Sequence, residues 1–313
     1  MVSSSNIYTK RNSRCVERHI AMAATTQEST TAVTLLLLLL LACYCCLLAA
    51  SSADADAIAD LARSLARPPP SWTAGGDVCS SFKGISCSSS SGRVTAIDLA
   101  GMGLAGTLPT SLSSLTALES FQLVGNALSG VVPPGLGEIP SLRNISLSGN
   151  YLQGPVPRFA AGVATDDVFA GNGFCPGQCD AQVTILLQVA EGFGYPLSLA
   201  RSWRGNDPCR WYRVFCYKSG DVAMILLYDA NLSGTISPAI AHLTQLRRLE
   251  LSNNSLAGEI PESLTTLPNL ELLDVSNNKL TGQVPKFNAS VRVLSDGNRF
   301  GDEPPPSSRS VIL

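Results

Sequence analysis

A 24-residue unit recurs six times in this chain and limits it to architectures made by stacking like units. VTAIDLAGMGLAGTLPTSLSSLTA, LESFQLVGNALSGVVPPGLGEIPS and LRNISLSGNYLQGPVPRFAAGVAT begin at Val94, Leu118 and Leu142, and three more units begin at Val222, Leu246 and Leu270. All fit LxxLxLxxNxLxGx(I/V/L)P with local lapses. The LxxLxL part predicts a short strand with aliphatic side chains pointing inward and the intervening ones exposed. The Asn at the ninth position is expected to turn its amide inward and satisfy turn backbone that no ladder serves. Gly at the thirteenth allows a bend that a Cβ would strain. One unit cannot bury its apolar edge alone, so neighbours must stack into an α/β solenoid.

The lapses fall in matching places. The first unit of each block lacks the Asn, with Met102 and Ala230 there, while the others carry Asn126, Asn150, Asn254 and Asn278. The third unit of each block ends in Pro157-Arg158-Phe159 or Pro285-Lys286-Phe287, loses its pattern and runs into Gly171-Asn172 or Gly297-Asn298. Residues 94–165 and 222–293 therefore form two blocks of three repeats. The segments ahead of them match as well: residues 54–87 and 180–216 each hold an Asp beside an amphipathic run, then a Pro-containing turn, a Trp, an Asp and a Cys pair. A helix stapled by a disulfide is a suitable cover for the open end of a stack. Residues 54–93 are thus expected to be an N-terminal cap and residues 166–221 a non-repeat island containing a second one. The cap motif residues are Trp72 and Asp77, then Trp203, Gly205, Asp207 and Pro208.

Residues 1–53 predict a leader: an uncharged apolar run, Val33 to Leu48, is followed by small residues, as in a secretory signal peptide. The 32 residues ahead of the run are long for such a leader, and Met22 is an alternative start. A retained anchor is the other reading, since roughly 18 apolar residues can span a bilayer. Without residues 1–50 the chain keeps 18 Lys and Arg against 22 Asp and Glu, a mildly acidic balance with no footprint for nucleic acid. Six cysteines remain, in three close pairs: Cys79 with Cys87, Cys175 with Cys179, and Cys209 with Cys216. An oxidising compartment makes these disulfides. A zinc site would need four converging thiolates or imidazoles, and the only histidine after the leader is His242.

Trp-x-Gly-x-Asp-Pro-Cys, the LxGxIP repeat and the interruption FAGNGFCPGQCDAQVTILLQVAEGFGYPLSLARSWRGNDPC resemble plant leucine-rich repeat receptor-like kinases. The match is closest to the ectodomain of the transmembrane kinase subfamily, over residues 54–301. That resemblance implies a leucine-rich repeat receptor or co-receptor at the plasma membrane, acting in auxin-related signalling through a secreted auxin-binding partner. The chain departs from the pattern in its short first block, in Val78 where caps have Pro, and in Arg213 where they have Gly. It contains no kinase glycine loop, His-Arg-Asp or Asp-Phe-Gly. Residues 294–313 form a Pro/Ser tail that reads as the start of a juxtamembrane linker.

Catalysis finds no support. With a single histidine after the leader there is no Ser-His-Asp or Cys-His arrangement, oxidised cysteines are not nucleophiles, and no cofactor motif is present. Recognition is assigned to the exposed strand positions: Arg143 and Ser146 in the first block, and Tyr228, Arg247, Arg248, Glu250, Glu271 and Asp274 in the second. The expected partner is an extracellular peptide or protein, with a receptor-kinase co-receptor a further candidate. Membrane association would come through a leader anchor or a C-terminal span beyond this chain. Four Asn-x-Ser sequons, at Asn144, Asn231, Asn253 and Asn288, are candidate glycosylation sites. Two alternatives are an inhibitor of cell-wall-degrading enzymes and a fragment of a longer receptor kinase.

Overall fold

The computed structural model describes residues 53–165 and 168–301. The leader and most of the Pro/Ser tail lie outside the described residues. In each block the LxxLxL segments form parallel strands spaced by one repeat. β1 (Ile85–Cys87), β2 (Val94–Asp98), β4 (Ser120–Gln122) and β6 (Asn144–Ser146) make one sheet in that order. β9 (Val214–Cys216), β10 (Val222–Leu226), β12 (Arg248–Glu250), β14 (Leu272–Asp274) and β16 (Arg292–Leu294) make its counterpart. The first strand of each sheet comes from the cap and runs antiparallel to the next.

Alternation along these strands decides what is buried. Ile97, Phe121 and Ile145 stand in register on the inner side, as do Ile225, Leu249 and Leu273, and all six are at most 1% exposed. Each block has its own apolar core, one running from Ala57 to Val168 and the other from Cys175 to Leu280. The opposite wall carries a second set of strands. β3 (Ala105–Gly106), β5 (Ala127–Val131), β7 (Tyr151–Gly154) and β8 (Gly173–Phe174) line the first block. β11 (Ser233–Thr235), β13 (Ser255–Gly258) and β15 (Lys279–Leu280) line the second.

The ninth-position asparagines of the repeats act as backbone surrogates between neighbouring turns. Asn150 is 1% exposed; its Oδ1 accepts from Leu128 N at 3.0 Å and its Nδ2 donates to Leu123 O and Leu147 O, both at 2.9 Å. Asn126, Asn254 and Asn278 repeat the pattern. Asn172 and Asn298, in segments where the consensus has lapsed, do the same: Asn172 accepts from Leu152 N and Asn298 from Leu280 N, each at 3.0 Å. The hydrogen-bond ladder thus runs one turn beyond the recognisable consensus, because only the amide and not the leucine pattern is needed to satisfy the preceding turn.

Each cap helix ends against the first short strand of its block. A Cβ on Gly106 would lie 2.1 Å from Ser64 O, and one on Gly234 would lie 2.2 Å from Gly192 O, so both positions admit only glycine. The helix over residues 53–64 holds its block by its Asp: Asp54, 1% exposed, accepts from Val94 N at 2.8 Å and from Arg93 Nε and Nη2 at 2.8 and 2.9 Å. This carboxylate ties the helix to the first repeat. In the island helix (Ala181–Gly192) capping and this tie fall to two residues. Asp180 is the N-cap, accepting from Gln182 N, and Gln182 Oε1 accepts from Val222 N at 2.7 Å.

Candidate functional site

The candidate site is the outer face of the β9–β16 sheet, and the second cap sets one edge of it. In both caps an Asp terminates a loop and starts a short helical turn bearing the first cysteine. Asp77 Oδ1 accepts from Cys79 N at 2.9 Å and Asp207 Oδ1 from Cys209 N at 3.1 Å. Hydrogen bonds from Ser80, first its backbone N–H, hold the Asp77 carboxyl below the usual carboxylate range. Pro208 fits the first position of its turn, where no N–H is needed. The disulfides are Cys79–Cys87, Cys175–Cys179 and Cys209–Cys216. Trp72 and Trp203 are buried, stack on Phe82 and Trp211 with ring centroids 5.4 and 5.2 Å apart, and donate from Nε1 to Lys83 O and Tyr212 O. Gly205, at φ +74°, donates its N–H to Gly173 O of the first block.

Arg213 follows directly and is the residue whose importance the sequence understated. It occupies a left-handed conformation, φ +65°, where a side chain is normally disfavoured. Its guanidinium lies over the rings of Tyr212 and Tyr228, 5.2 and 4.6 Å from their centroids, and Nη1 donates to Tyr228 O. Cation–π stacking on both sides offsets the backbone cost. The result is an exposed rung of two tyrosines and an arginine. Phe215 and Tyr217 extend it, and all four aromatic side chains are more than a third exposed. Exposed Tyr, Phe and Arg in one patch are the composition of recognition surfaces. The signal available in sequence was RWYRVFCY, Arg210 to Tyr217, which pairs basic and aromatic residues inside a cap.

Across the sheet the register places Phe215, Met224, Arg248, Leu272 and Arg292 in one row, with Leu226, Glu250, Asp274 and Leu294 in the next. Arg247 bonds Glu271 and Arg248 bonds Glu250. The Glu271 hydrogen bond raises the Arg247 pKa further. Of the residues singled out from sequence, Tyr228, Arg247, Arg248, Glu250, Glu271 and Asp274 lie on this sheet or at its edge. Arg143 and Ser146 lie on the other, whose matching row is Asp98, Gln122 and Ser146. That first face is polar and small. Asn144 stands on it, its Oδ1 accepting from Gln122 Nε2 at 2.9 Å, whereas the sequon residues Asn231, Asn253 and Asn288 are exposed. Among the described residues no group of His, Cys, Asp and Glu could hold a metal ion. No described helix is long and apolar enough to cross a membrane.

A model described as "Leucine rich repeat N-terminal domain" matches residues 51–88 and again 179–217, and "Leucine Rich repeats (2 copies)" matches residues 244–287. The N-terminal cap domain model thus matches twice, ahead of each block, and the repeat model matches within the second block. Its ectodomain-like parts are similar to plant receptor kinases. To the receptor protein kinase WSS1 of Oryza sativa subsp. japonica it is 63% identical over 146 residues, 45% of this chain and 16% of that protein. To the receptor-like kinase TMK2 of Arabidopsis thaliana it is 44% identical over 159 residues, 49% of this chain and 18% of that protein. To the receptor-like kinase TMK4 of Arabidopsis thaliana it is 47% identical over 89 residues, 26% and 10% of the two chains. The chain therefore spans less than a fifth of the length of these relatives. A solved complex, PEPR1–AtPEP1, superposes on 79% of this chain and 28% of its own at 20% identity and a TM-score of 0.31, too low to carry weight.

Proposed function

We propose that this chain is a non-catalytic extracellular recognition module, of the receptor or co-receptor ectodomain type, that binds a peptide or protein partner at the plant cell surface. On this reading two blocks of three repeats, each stacked behind its own cap, are the scaffold, and the second block carries the site. The observation behind this reading is the contrast between two sheets of the same origin: the second gathers Tyr212, Arg213, Phe215 and Tyr228 beside the paired charges of Arg247, Arg248, Glu250 and Glu271, while the first is polar and small. Aromatic anchors ringed by ion pairs suit a partner with an apolar centre and a polar margin. N-glycans on Asn231, Asn253 and Asn288 would be tolerated at their exposed positions, and one on Asn144 would obstruct the first face. The resemblance of the cap and repeat motifs to the transmembrane kinase subfamily implies an auxin-related complex as the specific version of the proposal. Biolayer interferometry of the purified chain against apoplastic auxin-binding proteins and secreted peptides tests it. Binding that Tyr228→Ala weakens supports the reading, and no interaction with any auxin-binding protein removes the auxin version.

A further inference from the structure

The island helix is in use on two sides. Its C-terminal end seats on Gly234 of the second block, while Leu187, Glu191 and Tyr195 line a groove with Val131 and Pro155 of the first block. The fit there is close. A Cβ on Gly130 would lie 2.9 Å from the Tyr195 ring, one on Gly154 would lie 3.5 Å from Leu187, and Ser129 Oγ donates to Tyr195 O at 2.7 Å. Burial, and next Glu191, raise the Tyr195 hydroxyl well above its ordinary pKa, in keeping with a covered site. The outer wall of the first block is thus covered by the cap of the second.

The two modules are related by a constant shift of 128 positions through the cap helix and repeats, as Val94 and Val222 are. Asp54 and Gln182 accept from the N–H groups of those two valines, and Gly106 and Gly234 receive the helix-end carbonyls of Ser64 and Gly192. The same shift carries Leu187, Glu191 and Tyr195 onto Ala59, Arg63 and Arg67 of the first cap. It carries the receiving wall, Gly130, Val131 and Gly154, onto Gly258, Glu259 and Gly282 of the second block. Among the described residues nothing covers either surface: Arg63, Arg67 and Glu259 are exposed, and a Cβ on Gly258 would meet nothing nearer than Thr235 of its own block, at 3.3 Å. Where the used contact sets Val131 against Tyr195, the unused one pairs opposite charges. Glu259 stands at the place of Val131, and Arg63 and Arg67 at those of Glu191 and Tyr195. Arg63 already bonds Asp60, whereas Arg67 has no carboxylate partner among the described residues.

We propose that copies of this chain associate head to tail, the first cap of one copy seating on the second-block wall of the next, with Glu259 facing Arg67 and Arg63. The contact inside the chain is the template for the contact between chains. Because the two surfaces differ, the association is heterologous and leaves a free cap at one end and a free wall at the other, so it extends with concentration. The charge pairing makes it sensitive to salt.

Sedimentation velocity of the purified full chain over a concentration series tests this. The average mass should rise with concentration at low salt and fall as salt is added. R67E and E259R should each weaken association roughly tenfold, since like charges then meet. The R67E/E259R double variant should restore it, and so should an equal mixture of the two single variants, because unlike neighbours then face opposite charges. Both positions are exposed, so circular dichroism should be unchanged. A chain that stays monomeric at every concentration, an association that neither variant alters, or a double variant that fails to recover would each overturn the proposal.

Discussion

Asp54 and Arg93 form a two-point ion pair, at 2.8 and 2.9 Å, in which the carboxylate is 1% exposed and also holds the N–H of Val94. The pair joins the first cap helix to the first repeat strand across 39 positions of sequence. Removing the acid leaves a guanidinium and a backbone donor without their acceptor. Asp54→Ala should lower unfolding stability by about 3 kcal/mol, as for a broken buried pair, read from the denaturation midpoint. Asp54→Asn keeps one acceptor oxygen and should cost less.

The asparagine rungs give a second prediction. Asn150→Ala strips Leu128 N of its acceptor at a site closed to water, while Leu123 O and Leu147 O lose one donor each and keep the amides of Asn126 and Asn172. With about 1–3 kcal/mol for the one buried donor left unsatisfied, the loss should be roughly 2 kcal/mol. Asn172→Ala should destabilise through the same mechanism, although its segment lacks the repeat consensus. Equal stability of Asn172→Ala and the native chain in urea would show that the extra rung is idle.

Glycine at the cap seats is a steric requirement. Gly234→Ala puts a methyl 2.2 Å from the backbone oxygen of Gly192, at φ +89°. It should destabilise the second block by at least about 2 kcal/mol, whereas Gly220→Ala, also at positive φ but with open space around it, should cost only about 1 kcal/mol from backbone strain. Thermal unfolding of the two variants side by side separates the clash from the strain.

The disulfide Cys209–Cys216 closes a loop of sequence separation 7 around the Tyr212–Arg213 rung. Loop-closure entropy for so short a ring is worth roughly 2–3 kcal/mol. Cys209→Ser with Cys216→Ser should lower stability by that amount and loosen the rung. Proteolysis between Arg210 and Cys216 should then become faster than in the native chain.

Much of the architecture was legible because the repeat writes its chemistry into fixed positions. Leu249 and Leu273 face inward for the reason Arg248 and Glu250 face outward, and Asn254 announces a turn that needs an amide. The duplicated Trp, Asp and Cys pairs marked both caps for the same reason. What escaped was set by contacts distant in sequence. The pairing of Asp54 escaped because its partner, Arg93, lies beyond the disulfide loop. Asn172 and Asn298 were hidden because the leucine pattern around them had decayed. Arg213 looked like a departure from a glycine position, and only the placement of Tyr228, fifteen residues on, shows what holds it. The contact of Val131 with the Tyr195 segment joins residues 64 positions apart, which no local pattern announces.

The central claim is that the second sheet, with its Tyr–Arg–Tyr rung, is the binding face and the first is not. The most direct measurement is quantitative capture of secreted plant proteins and peptides on the immobilised chain. Native protein would be compared with a second-face variant, Tyr212→Ala, Tyr228→Ala and Arg248→Ala together, and a first-face variant, Gln122→Ala and Ser146→Ala together. Partners bound by the native chain should be retained by the first-face variant and lost from the second-face variant while both keep the native circular dichroism spectrum. Retention on the second-face variant with loss from the first-face variant would contradict the account.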